Sequence, residues 1–328
     1  MSFHILVTAP DLDASGRSLL DAAGCRLDYV APAGARAVME RMLAATPYDG
    51  VISRFIPISA EAIASCPSLR VISRAAAGYD AIDLAAATAR GIPVLAAPGA
   101  NAQSVAEFTI GLMIAAARNI PFLDRTSQAG GWERGSPLGL ELSGRTLGLL
   151  GYGRIAQAVA RIALAIGMQV VAWSPRLAEA GEIAPVQRAA SMAELLDRAD
   201  VLSLHAPLTA GTRGIINAET LARLGPDAIL VNTGRGELVD EPALASALKA
   251  GRLRAAALDV RPEEPPPPVT VLTGVPNLIL TPHRGAATTA ARAATARTAA
   301  TQLLAVLQGR PLPAGACVNP QVLGGPDV

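Results

Sequence analysis

Proton transfer near neutral pH calls for an imidazole or a tuned acid, and this chain of 328 residues has three histidines, His4, His205 and His283. His4 opens a short apolar run and reads as a structural or surface residue. His205 follows the run 201–204 and precedes Ala206-Pro207. His283 stands in Thr281-Pro282-His283, directly after the run ending at Leu280. Its place suits a proton-transferring group and suits a structural histidine as well. Arg235 sits in Asn232-Thr233-Gly234-Arg235-Gly236. Two glycines allow a sharp turn that projects one guanidinium, a group whose fork matches a carboxylate. The same pattern describes a surface arginine in a turn. Asp259 closes the run 255–258, and Glu263 and Glu264 follow in a proline-rich loop. A carboxylate beside an imidazole favours its charged form and fixes its tautomer. Glu264 would serve His283 in that way if the loop folds back; otherwise it belongs to a solvated acidic loop.

These groups need a scaffold, and residues 143–175 supply its clearest part. Residues 146–150 are a short apolar run, followed at once by Gly151-Tyr152-Gly153. Ile155, Val159, Ile162 and Ile166 then recur on one helical face, and Gly167 stands where a helix ends. A second strand is expected at 169–173. This is a βαβ unit opening on G-x-G-x-x-A. Gly151 permits the tight turn, Gly153 leaves the backbone open to a pyrophosphate, and Ala156 lets helix and strand approach. The helix N-terminus offers N–H groups and partial positive charge. Dinucleotide binding follows; an ordinary βα turn with two glycines is the plainer alternative.

Composition narrows the classes. Hydrophobic residues are 51% and charged residues 17%, so the chain is core-rich and long enough for two domains. Net charge is +1 and aromatics are 3%, which gives neither an electrostatic footprint for nucleic acid or membrane nor a base-stacking platform. Cys25, Cys66 and Cys317 are far apart and form no metal or disulfide pattern, so no metal site is expected. The N-terminus lacks a leader-like pattern and no apolar run reaches membrane-spanning length, which points to the cytoplasm.

Along the chain, short strands and helices alternate up to about residue 98: strands near 4–8, 27–30, 50–53, 70–73 and 93–95, with helices between them. A turn-rich joint, residues 97–101, leads into a long helix at about 101–118, where Ser104-x-x-Glu107 has the form of a capping box. A less regular stretch around Pro121, Gly130-Gly131 and Trp132 follows. After the βαβ unit, helices are expected at 191–199, 217–224 and 241–250, and strands at 201–204, 228–231, 255–258 and 278–280. PEEPPPP, residues 262–268, is a polyproline-prone loop inside this domain. A last Ala-rich helix runs from about 285 to 308. Repeated β-α-β means α/β architecture with two doubly wound parallel sheets.

The ordered set VNTGRG, ALDV-x-PEEPP and TPH, downstream of G-x-G-x-x-A, resembles the D-2-hydroxyacid dehydrogenase family, the D-isomer-specific NAD-dependent enzymes. GYDAIDLAAATARGIPV, PGANAQSVAEFTIGLMIAAAR, HAPLTAGTRGIIN and GRPLPAGACVNP extend the likeness over about residues 50–320. The resemblance implies a flavodoxin-like substrate domain, 1–99 plus 288–328, holding an inserted Rossmann cofactor domain, 100–287. It implies a 2-oxo/D-2-hydroxy acid substrate, NAD or NADP as cofactor and a homodimer through the cofactor domains, near Trp132. Arg235 matches the arginine that binds the substrate carboxylate and oxo group, His283 the acid/base, and Glu264 its paired carboxylate. Cofactor contacts would come from Gly151, Tyr152, Gly153, Arg154, Ile155, Ser174, Pro175, Arg176, His205, Ala206, Pro207, Thr212, Thr233, Gly234, Asp259 and His283. Substrate contacts would come from Arg54, Ala76, Ala77, Gly78, Arg235 and His283.

Two departures stand out. The substrate loop, usually glycine-any-glycine, begins with Ala76. The acid expected at the end of the second strand, where it would hold the adenine ribose, is replaced by Ser174, followed by Pro175 and Arg176. Loss of the carboxylate beside an arginine favours a 2′-phosphate, so tolerance of NADP is expected. Two rival readings remain on the same architecture. One is a nucleotide-sensing binding protein resembling the C-terminal-binding co-repressors. The other is an NAD-dependent hydrolase, which Lys249 as the chain's only lysine disfavours.

Overall fold

The structure is a computed structural model that describes residues 2–31, 34–54, 56–132, 134–135, 138–175, 177 and 183–324. It divides into two units, Met1–Asn101 with Ala287–Val328, and Ala102–Ala286. The first unit has strands β1 (His4–Val7), β2 (Arg26–Tyr29), β3 (Gly50–Ser53), β4 (Val71–Arg74) and β5 (Val94–Leu95), all parallel, in the order β2-β1-β3-β4-β5. That is the flavodoxin-like order. Alternation along β1 fixes the two layers. Ile5 and Val7 pack against Leu20 of helix Ala14–Ala22 and against Ala296, Ala300 and Leu303 of helix Thr289–Leu307. Leu6 packs on the opposite side with Met39, Leu43 and Ile63 from helices Ala35–Ala45 and Ala60–Ala64. Strands buried on both faces have no polar side to show, so β3 is buried at all four positions. The C-terminal segment is pinned to β5 by Asn319, whose Oδ1 accepts from Val94 N at 2.8 Å.

The second unit continues with β6 (Thr146–Leu150), β7 (Gln169–Trp173), β8 (Gln187–Arg188), β9 (Val201–Leu204), β10 (Ile229–Asn232), β11 (Ala255–Leu258) and β12 (Leu278–Leu280). The order is β12-β11-β10-β9-β6-β7-β8, again parallel throughout. It reverses direction between β6 and β9, the switch point where open α/β sheets bind ligands. Leu147 and Leu149 face helices Ala102–Ala117 and Arg154–Ala165, whereas Leu150, Leu202 and Leu230 face Met192–Arg198, Ala218–Leu221 and Glu241–Lys249. Among the described residues no single helix is long and apolar enough to cross a membrane.

Several expectations are corrected. The stretch after Asn119 is a regular helix, Ile120–Gln128, with Pro121 in its first turn, where a missing N–H costs nothing. Ser104 is not a cap: the helix already begins at Ala102, and Ser104 is buried inside it. The last helix starts at Thr289, because the Thr288 side chain accepts from Ala291 N and caps it. On helix Arg154–Ala165 the fully buried face is Ala156, Val159, Ala160 and Ala163, with Ile155 and Ile162 at its flank and Ile166 exposed beyond the helix. Small residues let the helix pack closely against both the sheet and the neighbouring helix Ala102–Ala117. The short edge strand β8 has no pattern that a sequence reading could use.

Candidate active site

The site begins at the turn after β6. Gly151 has φ +94, and a Cβ there would lie 2.7 Å from the backbone of His205 and Ala206. Only glycine fits both constraints. Gly153 is different: a Cβ there would meet nothing within 4 Å. It opens helix Arg154–Ala165 without any side-chain cap, and no acid lies in the first turn. An open backbone facing uncapped N–H groups fits a dinucleotide pyrophosphate. Ala156 is fully buried, as close helix–sheet packing requires. Tyr152 is half-buried, Arg154 exposed and Ile155 half-buried, and burial pushes the Tyr152 phenol up.

All seven strands are parallel, so their C-terminal ends share one edge. That edge collects nearly every residue singled out in this unit. Ser174 and Pro175 follow β7; Arg176 lies outside the described residues. His205, Ala206 and Pro207 follow β9, and the Thr212 hydroxyl closes that loop by donating to Pro207 O at 2.7 Å. His205 Nε2 is 2.9 Å from Ser203 Oγ, and burial pushes its pKa down to about 4. It is therefore neutral at pH 7, with its backbone against the glycine turn.

Thr233, Gly234 and Arg235 follow β10. Asn232 spans their turn: its Oδ1 accepts from Gly234 N at 3.0 Å and its Nδ2 donates to Arg235 O at 2.8 Å. Thr233 Oγ1 is 2.8 Å from Thr109 Oγ1, which ties the turn to helix Ala102–Ala117. Arg235 is half-buried, and its Nη1 donates to Gly234 O at 2.7 Å.

Asp259 follows β11, buried to 2% exposure. Its Oδ1 accepts from Thr281 Oγ1 at 2.6 Å and Arg284 N at 2.7 Å, and its Oδ2 accepts from Gly285 N at 2.8 Å. These bonds all hold the loop that carries His283. His283 itself takes φ +52, a left-handed conformation rare outside glycine, and its N–H donates to Asp259 O at 2.8 Å. Strain of this kind persists where surrounding bonds over-determine it. His283 Nδ1 meets Glu264 Oε2 at 2.7 Å, with side-chain exposures of 55% and 37%. The proline loop does fold back, and the pair stays open to a reactant. The Nδ1 contact leaves Nε2 as the nitrogen for proton exchange.

In the first unit, Ala76, Ala77 and Gly78 lie in the loop after β4, half-buried at the C-terminal edge of that sheet. Arg74 braces the loop, Nε to Gly78 O at 3.1 Å and Nη1 to Ser53 Oγ at 3.0 Å. Arg54 follows β3; its Nη1 lies 3.8 Å from Asp11 Oδ1, and Arg292 pairs with the other oxygen of Asp11. Burial, then repulsion from Arg292, lowers the proton affinity of Arg54. Sequence reasoning missed Asn232, Thr109, Arg74 and Asp11. Only the place of Asn232 beside the glycine-arginine turn could have flagged one of them.

The D-isomer specific 2-hydroxyacid dehydrogenase, NAD binding domain, family model matches residues 110–285. D-3-phosphoglycerate dehydrogenase of Methanocaldococcus jannaschii is 46% identical over 77% of this chain, but this spans only 48% of that protein. The chain thus covers about half the length of such relatives. Glyoxylate reductase of Thermofilum pendens is 40% identical over 81% of this chain and 79% of its own. The crystal structure of an NADPH-dependent glyoxylate/hydroxypyruvate reductase from Sinorhizobium meliloti, with NADP and malonate, superposes with a TM-score of 0.82 at 30% identity, covering 96% of both chains. The sheet order, the glycine turn and these matches lead to one assignment: the chain belongs to the D-isomer specific 2-hydroxyacid dehydrogenase family, with its NAD binding domain in residues 110–285.

Proposed function

We propose that this protein is an NAD(P)-dependent oxidoreductase that interconverts a 2-oxo acid and a D-2-hydroxy acid. The observation that carries the reading is the 2.7 Å contact between His283 Nδ1 and Glu264 Oε2, on the same sheet edge as Arg235. Gly151, Gly153 and the first turn of helix Arg154–Ala165 would hold the dinucleotide, and Ser174, His205, Ala206, Pro207, Thr212, Thr233, Gly234 and Asp259 border that edge. The nicotinamide supplies the hydride in the reducing direction. Arg235 neutralises the substrate carboxylate and polarises the carbonyl. Glu264 fixes the imidazole of His283 through Nδ1, and Nε2 gives a proton to the developing alkoxide. In the first unit we assign Arg54, Ala76, Ala77 and Gly78 to substrate recognition.

The test is a panel of 2-oxo acids, glyoxylate and hydroxypyruvate among them, with both cofactors. Sustained cofactor oxidation is expected. Tight nucleotide binding without turnover on any member would instead make this a nucleotide-sensing binding protein. Ser174 in place of an acid supports use of NADPH, as in the Sinorhizobium meliloti relative. A strong preference for NADH in kcat/KM on one substrate would overturn that part. We also infer a homodimer, supported by the exposed apolar side chains of Ile120, Phe122, Trp132 and Leu138. A single species of monomer mass in light scattering would remove it.

A further inference from the structure

The His283–Glu264 pair poses a problem of support. Glu264 belongs to a loop whose residues 262–269 are all exposed. An exposed ion pair contributes little by itself, so it cannot hold its own loop in place. The anchor lies at the base of the loop. Arg261 keeps only 10% of its side chain exposed, and its partner Glu241 only 13%. The guanidinium grips Glu241 with two nitrogens, Nε to Oε1 at 2.5 Å and Nη2 to Oε2 at 2.9 Å. Nη2 also donates to Thr270 Oγ1 at 3.2 Å, at the far end of the exposed stretch. One side chain therefore staples residue 261 to residue 270 and both to the first turn of helix Glu241–Lys249. The backbone N–H of Arg261 donates to Glu264 Oε1 at 3.0 Å, while the other oxygen of that carboxylate holds His283. The backbone of Arg261 also lies against the Arg235 turn: a Cβ on Gly236 would sit 2.0 Å from the carbonyl carbon of Arg261.

We propose that Arg261 and Glu241 are positioning residues, an ion-pair staple that holds Glu264 against His283. The catalytic part rests on the proposed reaction; the staple itself does not. Two readouts separate them. The first needs no turnover. With three histidines in the chain, imidazole 15N NMR of the cofactor-free protein can follow His283 alone. Arg261→Met and Glu241→Gln should move its Nδ1 signal in the direction that Glu264→Gln moves it. The second is kinetic. Each variant should lower kcat by about 10- to 100-fold, with little change in KM for the 2-oxo acid or in Kd for NADH. Arg261→Met placed on Glu264→Gln should add almost nothing, because both changes act through one contact. The charge-reversed double variant, Arg261→Glu with Glu241→Arg, should regain part of kcat. An unmoved Nδ1 signal in Arg261→Met overturns the staple. So does a full additive loss on top of Glu264→Gln. A moved signal in a protein that reduces no 2-oxo acid keeps the staple and rejects the reaction.

Discussion

At the residue scale, the site is a division of labour among groups that look alike in sequence. Of the two histidines at strand ends, His205 is held neutral by burial, whereas His283 stays open beside a carboxylate. The second is the one to which the proposed function gives proton transfer. Replacing His283 with Asn should leave NADH binding intact and lower kcat by ~10²–10⁴-fold; unchanged turnover would remove it from the mechanism. Arg235→Ala should raise KM and lower kcat together. The loss of ~1.5–3 kcal/mol of charged hydrogen bonding predicts roughly 10- to 100-fold in kcat/KM. An effect on KM alone would confine Arg235 to ground-state binding. Gly151→Ala must overcome both a positive φ and contact at 2.7 Å with the backbone of His205 and Ala206. Fluorescence titration should show NADH affinity lost, while Gly153→Ala, whose Cβ meets open space in this structure, should fold normally and weaken binding only by crowding the ligand.

At the scale of elements, the turns after β10 and β11 are positioned by helix starts and short side-chain clamps. Asp240 caps helix Glu241–Lys249 by accepting from Ala243 N, and that helix carries the Glu241 end of the ion pair. Asp240→Ala should cost about 1 kcal/mol in urea unfolding, and a midpoint equal to wild type would show that the cap contributes nothing. Most elements were legible in advance. The strands 146–150, 169–173, 201–204, 255–258 and 278–280 fall where apolar runs and flanking glycines put them. The errors have local causes. Helix Ile120–Gln128 has an amphipathic pattern interrupted by Pro121, which reads as a break although it occupies a first turn. The isoleucine face of helix Arg154–Ala165 carries the larger hydrophobic signal, yet alanines hold the tighter contact, because buried depth follows helix–sheet spacing rather than side-chain size.

At the scale of the whole molecule, burial of His205 has a consequence for stability. Its folded pKa, pushed down to about 4 from an ordinary 6.5, means that the unfolded chain binds the extra proton first. The contribution is complete above pH 6.5 and declines as pH falls toward 4, by up to about 3 kcal/mol. A His205→Gln variant should lose less melting temperature than wild type between pH 7 and pH 4; parallel curves would contradict the burial argument. What the sequence by itself determined was the class of fold and the identity of its chemical groups. The glycine fingerprint, the strand periodicity and the motifs around Arg235, Glu264 and His283 are local patterns, and each is written within a few residues. Only the tertiary structure decided which groups meet. Glu264 and His283 are 19 positions apart; the family resemblance implies the pair, but nothing in either segment alone states that the proline loop returns. That return depends on Arg261 reaching Glu241, 20 positions earlier, and on Asp259 binding the loop that forces His283 into a left-handed turn. Contacts of this kind are set by the parallel sheet, which brings the ends of distant strands to one edge.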